Sequence, residues 1–248
     1  MKEGFNMIYV CGDVHGDYDI GKLEYLKSLD ILTEDDYLII CGDFGGVWSR
    51  PESIYYEEEE RLRNWYASNK WTTLFVDGNH ENFPLLYTYP VEEWNGGKIH
   101  KINDKLFHLM RGEVFTIEGK TIFTMGGAAS HDKIVRTEGL DWWPQELPNH
   151  YEESYALRTL DKYEWDVDYV ISHAQPETFY RNCFPNDVSF TTNSLVKFFD
   201  LINRTLNFKH WYCGHLHVDK TIGDITCLYD KIIPLGSIIT ELAVIRRN

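Results

Sequence analysis

Short apolar runs alternate along the chain with stretches whose apolar positions recur every three or four residues. This is the pattern of buried strands interleaved with amphipathic helices. Residues 7–11, 37–41, 73–76 and 169–172 are predicted strands. Residues 20–29, with an apolar stripe at Leu23, Leu26 and Leu29, form a predicted helix, as do 57–68, 154–163 and 193–203. From about residue 98 to 125 the pattern shortens to alternating β segments. There, 113–117, Glu118-Gly119 and 120–124 read as a hairpin with a two-residue turn. From residue 208 onward the chain is mostly β, with turns at Gly223-Asp224 and 234–236. No internal repeat or low-complexity linker interrupts it. The expectation is one α/β domain over residues 1–248, with two facing sheets flanked by helices.

Composition agrees with that picture. The 248 residues, 43% hydrophobic and 25% charged, suit a globular chain with a substantial core. No apolar run approaches the roughly 18 residues of a membrane span. Lys2 and Glu3 are followed by no hydrophobic signal core, so a cytoplasmic protein with no membrane association is expected. Five widely spaced cysteines without a C-x-x-C pair fit buried strand-end positions better than a thiolate metal site. A net charge of −15 argues against broad nucleic-acid binding, unless a local basic groove or bound cations offset it.

Candidate chemistry recurs at five predicted strand ends. The segments are Ile8-Tyr9-Val10-Cys11-Gly12-Asp13-Val14-His15, Leu38-Ile39-Ile40-Cys41-Gly42-Asp43, Leu74-Phe75-Val76-Asp77-Gly78-Asn79-His80, Tyr169-Val170-Ile171-Ser172-His173, and His210-Trp211-Tyr212-Cys213-Gly214-His215-Leu216-His217. Buried strands fix the backbone, and their carboxyl-end loops face a common crevice in open α/β sheets. A lone D-x-H or H-x-H is more often a polar turn. Five such ends in one chain point to a metal site assembled from Asp13, His15, Asp43, Asn79, His173, His215 and His217.

The ordered set G-D-x-H, G-D, G-N-H-E, H, G-H-x-H resembles the calcineurin-like metallophosphoesterase superfamily. The resemblance implies an αββα sandwich and two divalent or trivalent metal ions. It implies that Asp13, His15, Asp43 and His217 hold one ion, and that Asp43, Asn79, His173 and His215 hold the other, with Asp43 as the bridge. Asp, Asn and imidazole without thiolate make Mn²⁺ the expected ion, with Fe or Zn²⁺ as alternatives. The implied reaction is hydrolysis of a phosphomonoester or phosphodiester by a metal-bridging hydroxide, with His80 as general acid. The substrate could be a small molecule, a nucleotide or a phosphoprotein. A nuclease or nucleotide phosphodiesterase, and a non-catalytic scaffold that keeps the fold, are the competing readings. Every expected ligand position is filled, which weighs against the scaffold.

One departure limits the analogy with protein Ser/Thr phosphatases, whose second block continues G-D-x-x-D-R-G. Here it reads Gly42-Asp43-Phe44-Gly45-Gly46-Val47-Trp48, so a phosphate-gripping arginine, if the site has one, comes from elsewhere. Arg50, Arg136 and Arg181 lie nearest the motif blocks, and for any one of them singly a solvated surface charge is the plainer reading. The segment Gly126-Gly127-Ala128-Ala129-Ser130-His131-Asp132-Lys133-Ile134-Val135-Arg136 opens at another strand end and is similar to a loop of a bacterial and phage branch of the superfamily. Asp132, Lys133 and Arg136 are candidate substrate contacts there, against the alternative of a turn fixed by an Asp132–Lys133 pair. Trp142-Trp143-Pro144 is a candidate cleft wall, and a half-buried aromatic pair is the plainer reading. The run of acids at 57–60 suits a helix start. His100, His108, His150 and His210 have no ligand spacing and are read as structural.

Overall fold

The computed structural model describes residues 6–239 and 245. Strands β1 (Ile8–Cys11), β2 (Tyr37–Ile40) and β3 (Thr72–Phe75) pair in parallel, joined by helices α1 (Gly21–Ser28) and α2 (Tyr56–Ala67). A short helix α3 (Phe83–Leu86) leads into β4 (Val91–Trp94), β5 (Gly97–Asn103) and β6 (Leu106–Leu109). Strand β6 lies parallel to β3, which extends the first sheet. The second sheet begins with the hairpin β7 (Glu113–Ile117) and β8 (Lys120–Met125). Helix α4 (His150–Lys162) leads to β9 (Tyr169–Ser172), and α5 (Glu177–Cys183) and α6 (Ser194–Thr205) lead to β10 (His210–Cys213). Strands β11 (Lys220–Ile222) and β12 (Ile225–Cys227) complete that sheet, and β13 (Ile232–Pro234) returns to pair antiparallel with β1. The result is a seven-stranded mixed sheet, β13-β1-β2-β3-β6-β5-β4, facing a six-stranded mixed sheet, β11-β12-β10-β9-β8-β7.

Alternation along each strand explains the layers. Val10, Ile39 and Leu74 point between the sheets and meet Phe115, Ile171 and Tyr212 of the other sheet. Their neighbours Cys11, Leu38, Ile40 and Phe75 pack under Leu23, Leu26 and Tyr66 of the first helical layer. On the far side, Phe123, Val170 and Trp211 pack under Ala156, Leu160, Phe199 and Ile202. Strands covered on both faces must be apolar throughout, which is why they read as continuous runs.

Element ends differ from expectation where capping decides them. Helix α4 starts four residues earlier than its apolar stripe, because Asn149 and Glu152 form a capping box. Asn193 is the cap of α6 rather than its first residue. Strand β4 is exposed and carries Glu92 and Glu93, so it shows no hydrophobic run. It is set instead by Asn95-Gly96, both at positive φ, a two-residue hairpin turn the hydrophobic pattern missed. Helices α3 and α5, with four and seven residues, were also below the reach of periodicity. The Glu118-Gly119 hairpin forms as expected.

Candidate metal centre

Loops leaving five strands meet at one end of the sandwich. Asp13 and His15 follow β1, Asp43 follows β2, and Asn79 and His80 follow β3. His173 follows β9, and His215 and His217 follow β10. Asp43 Oδ2 lies 3.3 Å from His15 Nε2 and 3.2 Å from His173 Nε2. His217 Nε2 lies 3.0 Å from Asp13 Oδ2, and Asn79 Oδ1 3.2 Å from His173 Nε2. Donor atoms of Asp13, His15 and His217 all fall within 4.8 Å of one another, as do those of Asp13, Asp43 and His173, and those of His15, Asp43 and His80. His215 belongs to none of these three groups. Its backbone N–H donates to Asp13 Oδ1 at 2.9 Å, and its ring packs edge-on to His173.

The backbone is bent to make this convergence. His15, Asp43, His215 and His217 have φ of 48°, 46°, 69° and 49°, a left-handed conformation that costs non-glycine residues on the order of 1–3 kcal/mol each. Gly78 is demanded by proximity, since a Cβ there would overlap the Asp43 carboxylate and backbone nitrogen.

Hydrogen bonds fix the imidazoles for ligation. His173 Nδ1 donates to the Cys41 carbonyl at 2.7 Å, and His15 Nδ1 to Asp19 Oδ2 at 2.7 Å. Each Nε2 is thereby turned towards Asp43, the usual outer support of a metal-bound histidine. With Nδ1–H committed, a neutral His173 points the Nε2 lone pair at the oxygens of Asn79 and Asp43. Only a proton or another cation between those atoms makes the arrangement favourable.

The charge balance makes the same demand. Asp13 and Asp43 are buried, and among the described residues only histidines pair with them. Burial alone would raise both carboxyls. Attraction to His173, with hydrogen bonds from His217 to Asp13 and from His15 to Asp43, instead holds them below the usual range. Burial would lower the imidazoles, but Asp43 raises His15 to about 9 and His173 to about 10. The metal-free pocket is therefore neutralised by imidazolium protons, which bound cations would replace. The donor set fits a divalent or trivalent metal ion.

His80 lies beside this cluster, its backbone N–H donating to Asp43 Oδ1 at 2.7 Å and its ring 5.5 Å from that of His15. Burial lowers its pKa, Asp43 opposes that, and Arg136 adds to it. Arg136 Nη1 stands 3.4 Å from His80 Nδ1. Arg50 is exposed and Arg181 pairs with Glu177, so Arg136 is the one of the three arginines at the site. Asp132 accepts from Arg136 Nε at 2.8 Å. Lys133 makes an ion pair with Glu146 rather than with Asp132.

The family model described as calcineurin-like phosphoesterase matches residues 7–219. The chain belongs to that family. Among solved structures, a candidate 5′-nucleotidase from Staphylococcus aureus in complex with α-ketoglutarate superimposes with a TM-score of 0.54 at 15% identity. That match covers 92% of this chain and 49% of the other, so this chain spans about half the length of that protein. A phosphopantetheinyl hydrolase from Mycobacterium tuberculosis gives a TM-score of 0.41 at 16% identity, covering 90% of this chain and 88% of that one. At 15% identity the likeness to the first of these is one of fold. No curated protein sequence matches the chain.

A cleft of about 870 Å³ opens over His15 and His80, walled by Asp17, Tyr18, Trp48 and Tyr229 among others. None of its lining residues is lysine or arginine. Trp143 is buried, edge-on to Trp48, so it backs the cleft wall. Sequence reasoning missed Asp19, although its spacing of four from His15 was a usable signal. It also missed Tyr229, whose ring stacks on His217 at 4.4 Å, because no local pattern links them. His100 and His108 are buried below the site, where His108 Nε2 donates to Asp77 at 3.1 Å.

Proposed function

We propose that this phosphoesterase hydrolyses a small phosphoester, using two metal ions held by Asp13, His15, Asp43, Asn79, His173, His215 and His217, with Mn²⁺ the expected ion. Bound ions would supply Lewis acidity to the phosphoryl oxygens and lower the pKa of a water between them. The observation that carries the reading is the convergence of Asp13, Asp43 and the imidazoles in a buried pocket that needs added positive charge. Arg136 meets the phosphoryl oxygens from the open side, the role left vacant after Asp43. Asp132 and the Asp141 carbonyl hold its guanidinium in place. His80 faces the same space and delivers a proton to the departing oxygen. The leaving group occupies the cleft lined by Tyr18, Trp48 and Tyr229. Walls of aromatic rings and of the carboxylates Asp17, Asp19, Glu58 and Glu59, with no basic side chain, favour a flat, uncharged alcohol over one bearing further phosphates. This supports a small phosphomonoester, nucleoside monophosphates included, over a nuclease substrate. The chain acts as one phosphoesterase domain.

The test is a substrate panel assayed after chelation and reloading with Mn²⁺, Zn²⁺, Fe²⁺ or Mg²⁺. Monoesters of aromatic alcohols or nucleosides are expected to turn over, while nucleoside triphosphates and single-stranded DNA are not. A protein that binds two ions yet hydrolyses no phosphoester would overturn the reading in favour of a scaffold.

A further inference from the structure

Residues 126–130 leave β8 and turn under the Asn79 loop, where Gly127 N–H donates to the Asp77 carbonyl at 2.8 Å and Ala128 N–H to that of Glu146 at 3.1 Å. Gly127 has φ of 97°, and a Cβ there would overlap the Glu146 carbonyl. The loop places Ser130 against Asn79, with both residues buried. Asn79 Nδ2 lies 3.2 Å from Ser130 Oγ, and Ser130 Oγ lies 2.6 Å from Glu146 Oε2. Glu146 is fully buried, accepts the Ser130 backbone N–H at 3.0 Å and pairs with Lys133.

Donor and acceptor counting gives this chain one direction. Glu146 receives a backbone N–H, an ammonium and a hydroxyl, which is the surrounding of an accepting carboxylate. The single hydroxyl proton of Ser130 is used on Glu146, so its oxygen offers only lone pairs to Asn79. The Asn79 NH₂ must then face Ser130, which turns Oδ1 towards His173 and Asp43. An asparagine amide is close to symmetric in shape; a bound ion would select its oxygen, and the Ser130 contact holds that orientation before the ion arrives.

From this geometry we infer that Ser130 is a positioning residue for the metal centre, polarised by Glu146 so that Asn79 presents oxygen rather than nitrogen to the ion. The inference rests on the two-metal reading above. It also gives the small-residue loop a purpose distinct from substrate contact. Outer-sphere partners of this kind are worth roughly 10- to 100-fold in metal affinity.

The test is titration of the chelated protein with Mn²⁺ by calorimetry, with bound ions counted by elemental analysis. Ser130→Ala keeps the backbone N–H bond to Glu146 and removes only the hydroxyl. It is expected to weaken one of two sites by roughly 10- to 100-fold and to leave the other unchanged. In an Asn79→Asp background either carboxylate oxygen can ligate, and the Ser130 lone pair opposes that charge. There the same Ser130→Ala change is expected to cost no affinity. Glu146→Gln provides a second variant. The Ser130 N–H and Lys133 hold its carbonyl, so its NH₂ faces Ser130 Oγ, the hydroxyl turns back on Asn79, and one site weakens. Equal losses from Ser130→Ala in both backgrounds would mean a packing role and overturn the inference. So would unchanged affinity in Ser130→Ala or in Glu146→Gln. If the wild-type protein takes up fewer than two ions, the two-metal reading fails instead, and the ion count separates the two failures.

Discussion

His15 Nε2 stands 3.3 Å from Asp43 Oδ2, and both residues hold a left-handed backbone, with φ of 48° and 46°. Two strained positions on different strand ends thus point one imidazole and one carboxylate at the same volume. His173 reaches the same Asp43 oxygen from the opposite sheet. Asp43, like Asp13 with its His217 contact, joins the two halves of the sandwich in one centre.

If Asp43 bridges two ions, Asp43→Asn removes a charge felt by both, whereas Asn79→Ala removes one neutral ligand. The Asp43→Asn enzyme is expected to be the less active of the two and to hold fewer ions, as measured by elemental analysis and steady-state kinetics on folded protein. Near wild-type turnover with full metal content in Asp43→Asn would remove the bridge.

The metal-free protein should lose stability in alkali. His15 and His173 are raised to about 9 and about 10 by Asp43, against an ordinary value near 6.5. A raised folded-state pKa means the native state binds the proton more tightly, so this contribution is complete below about 6.5. It is lost as pH rises through 9 and 10. Thermal melts of chelated protein at pH 6.5 and 10 should show the drop, and saturating Mn²⁺ should reduce it. A flat profile without metal would contradict the imidazolium–carboxylate pairing.

His80→Ala separates proton donation from metal binding. Both ions should remain, while kcat for an alkyl phosphate falls by roughly 10²–10⁴-fold. An aryl phosphate with an acidic leaving group should suffer less, because it departs with little help. Equal losses on both esters, with both metals present and chemistry rate-limiting, would point to a positioning role.

Arg136→Ala should reduce kcat/KM by roughly 10- to 150-fold, the equivalent of one lost charge-assisted hydrogen bond. Arg136→Lys should recover only part, since an ammonium cannot keep both the Asp132 contact and the fork geometry. Metal content should not change in either variant. Wild-type kinetics in Arg136→Ala would exclude it as the phosphate-binding arginine.

Away from the chemistry, Arg111→Met should be strongly destabilising. Arg111 is buried, with Nε 2.9 Å from Asp77 Oδ2 and Nη2 donating to the Gln145 carbonyl at 2.8 Å. Its loss leaves Asp77 buried beside His108 alone, a change worth about 3–5 kcal/mol in denaturant unfolding. A loss below about 1 kcal/mol would show that Asp77 finds another partner or a proton.

The sequence by itself determined the alternation of strands and helices and the identity of the ligand candidates. Both are local properties: a strand buried on two faces must be apolar for its whole length, and a loop that turns sharply at its end shows its glycine and its polar donors. Two facing sheets flanked by helices were expected from the same pattern, and the resemblance implied the same αββα sandwich. The N-terminal ends of α4 and α6 were shifted because side-chain caps, Asn149 and Asn193, override the apolar stripe. Strand β4 was missed because an exposed edge need not be hydrophobic. Arg136 was already a candidate from its loop, but only tertiary structure placed it beside His80 and left Arg50 exposed and Arg181 paired with Glu177. It paired Lys133 with Glu146, across a turn no periodicity describes. It also set the direction of the Glu146–Ser130–Asn79 chain, because hydrogen-bond polarity belongs to groups brought together in space and leaves no mark in residue order.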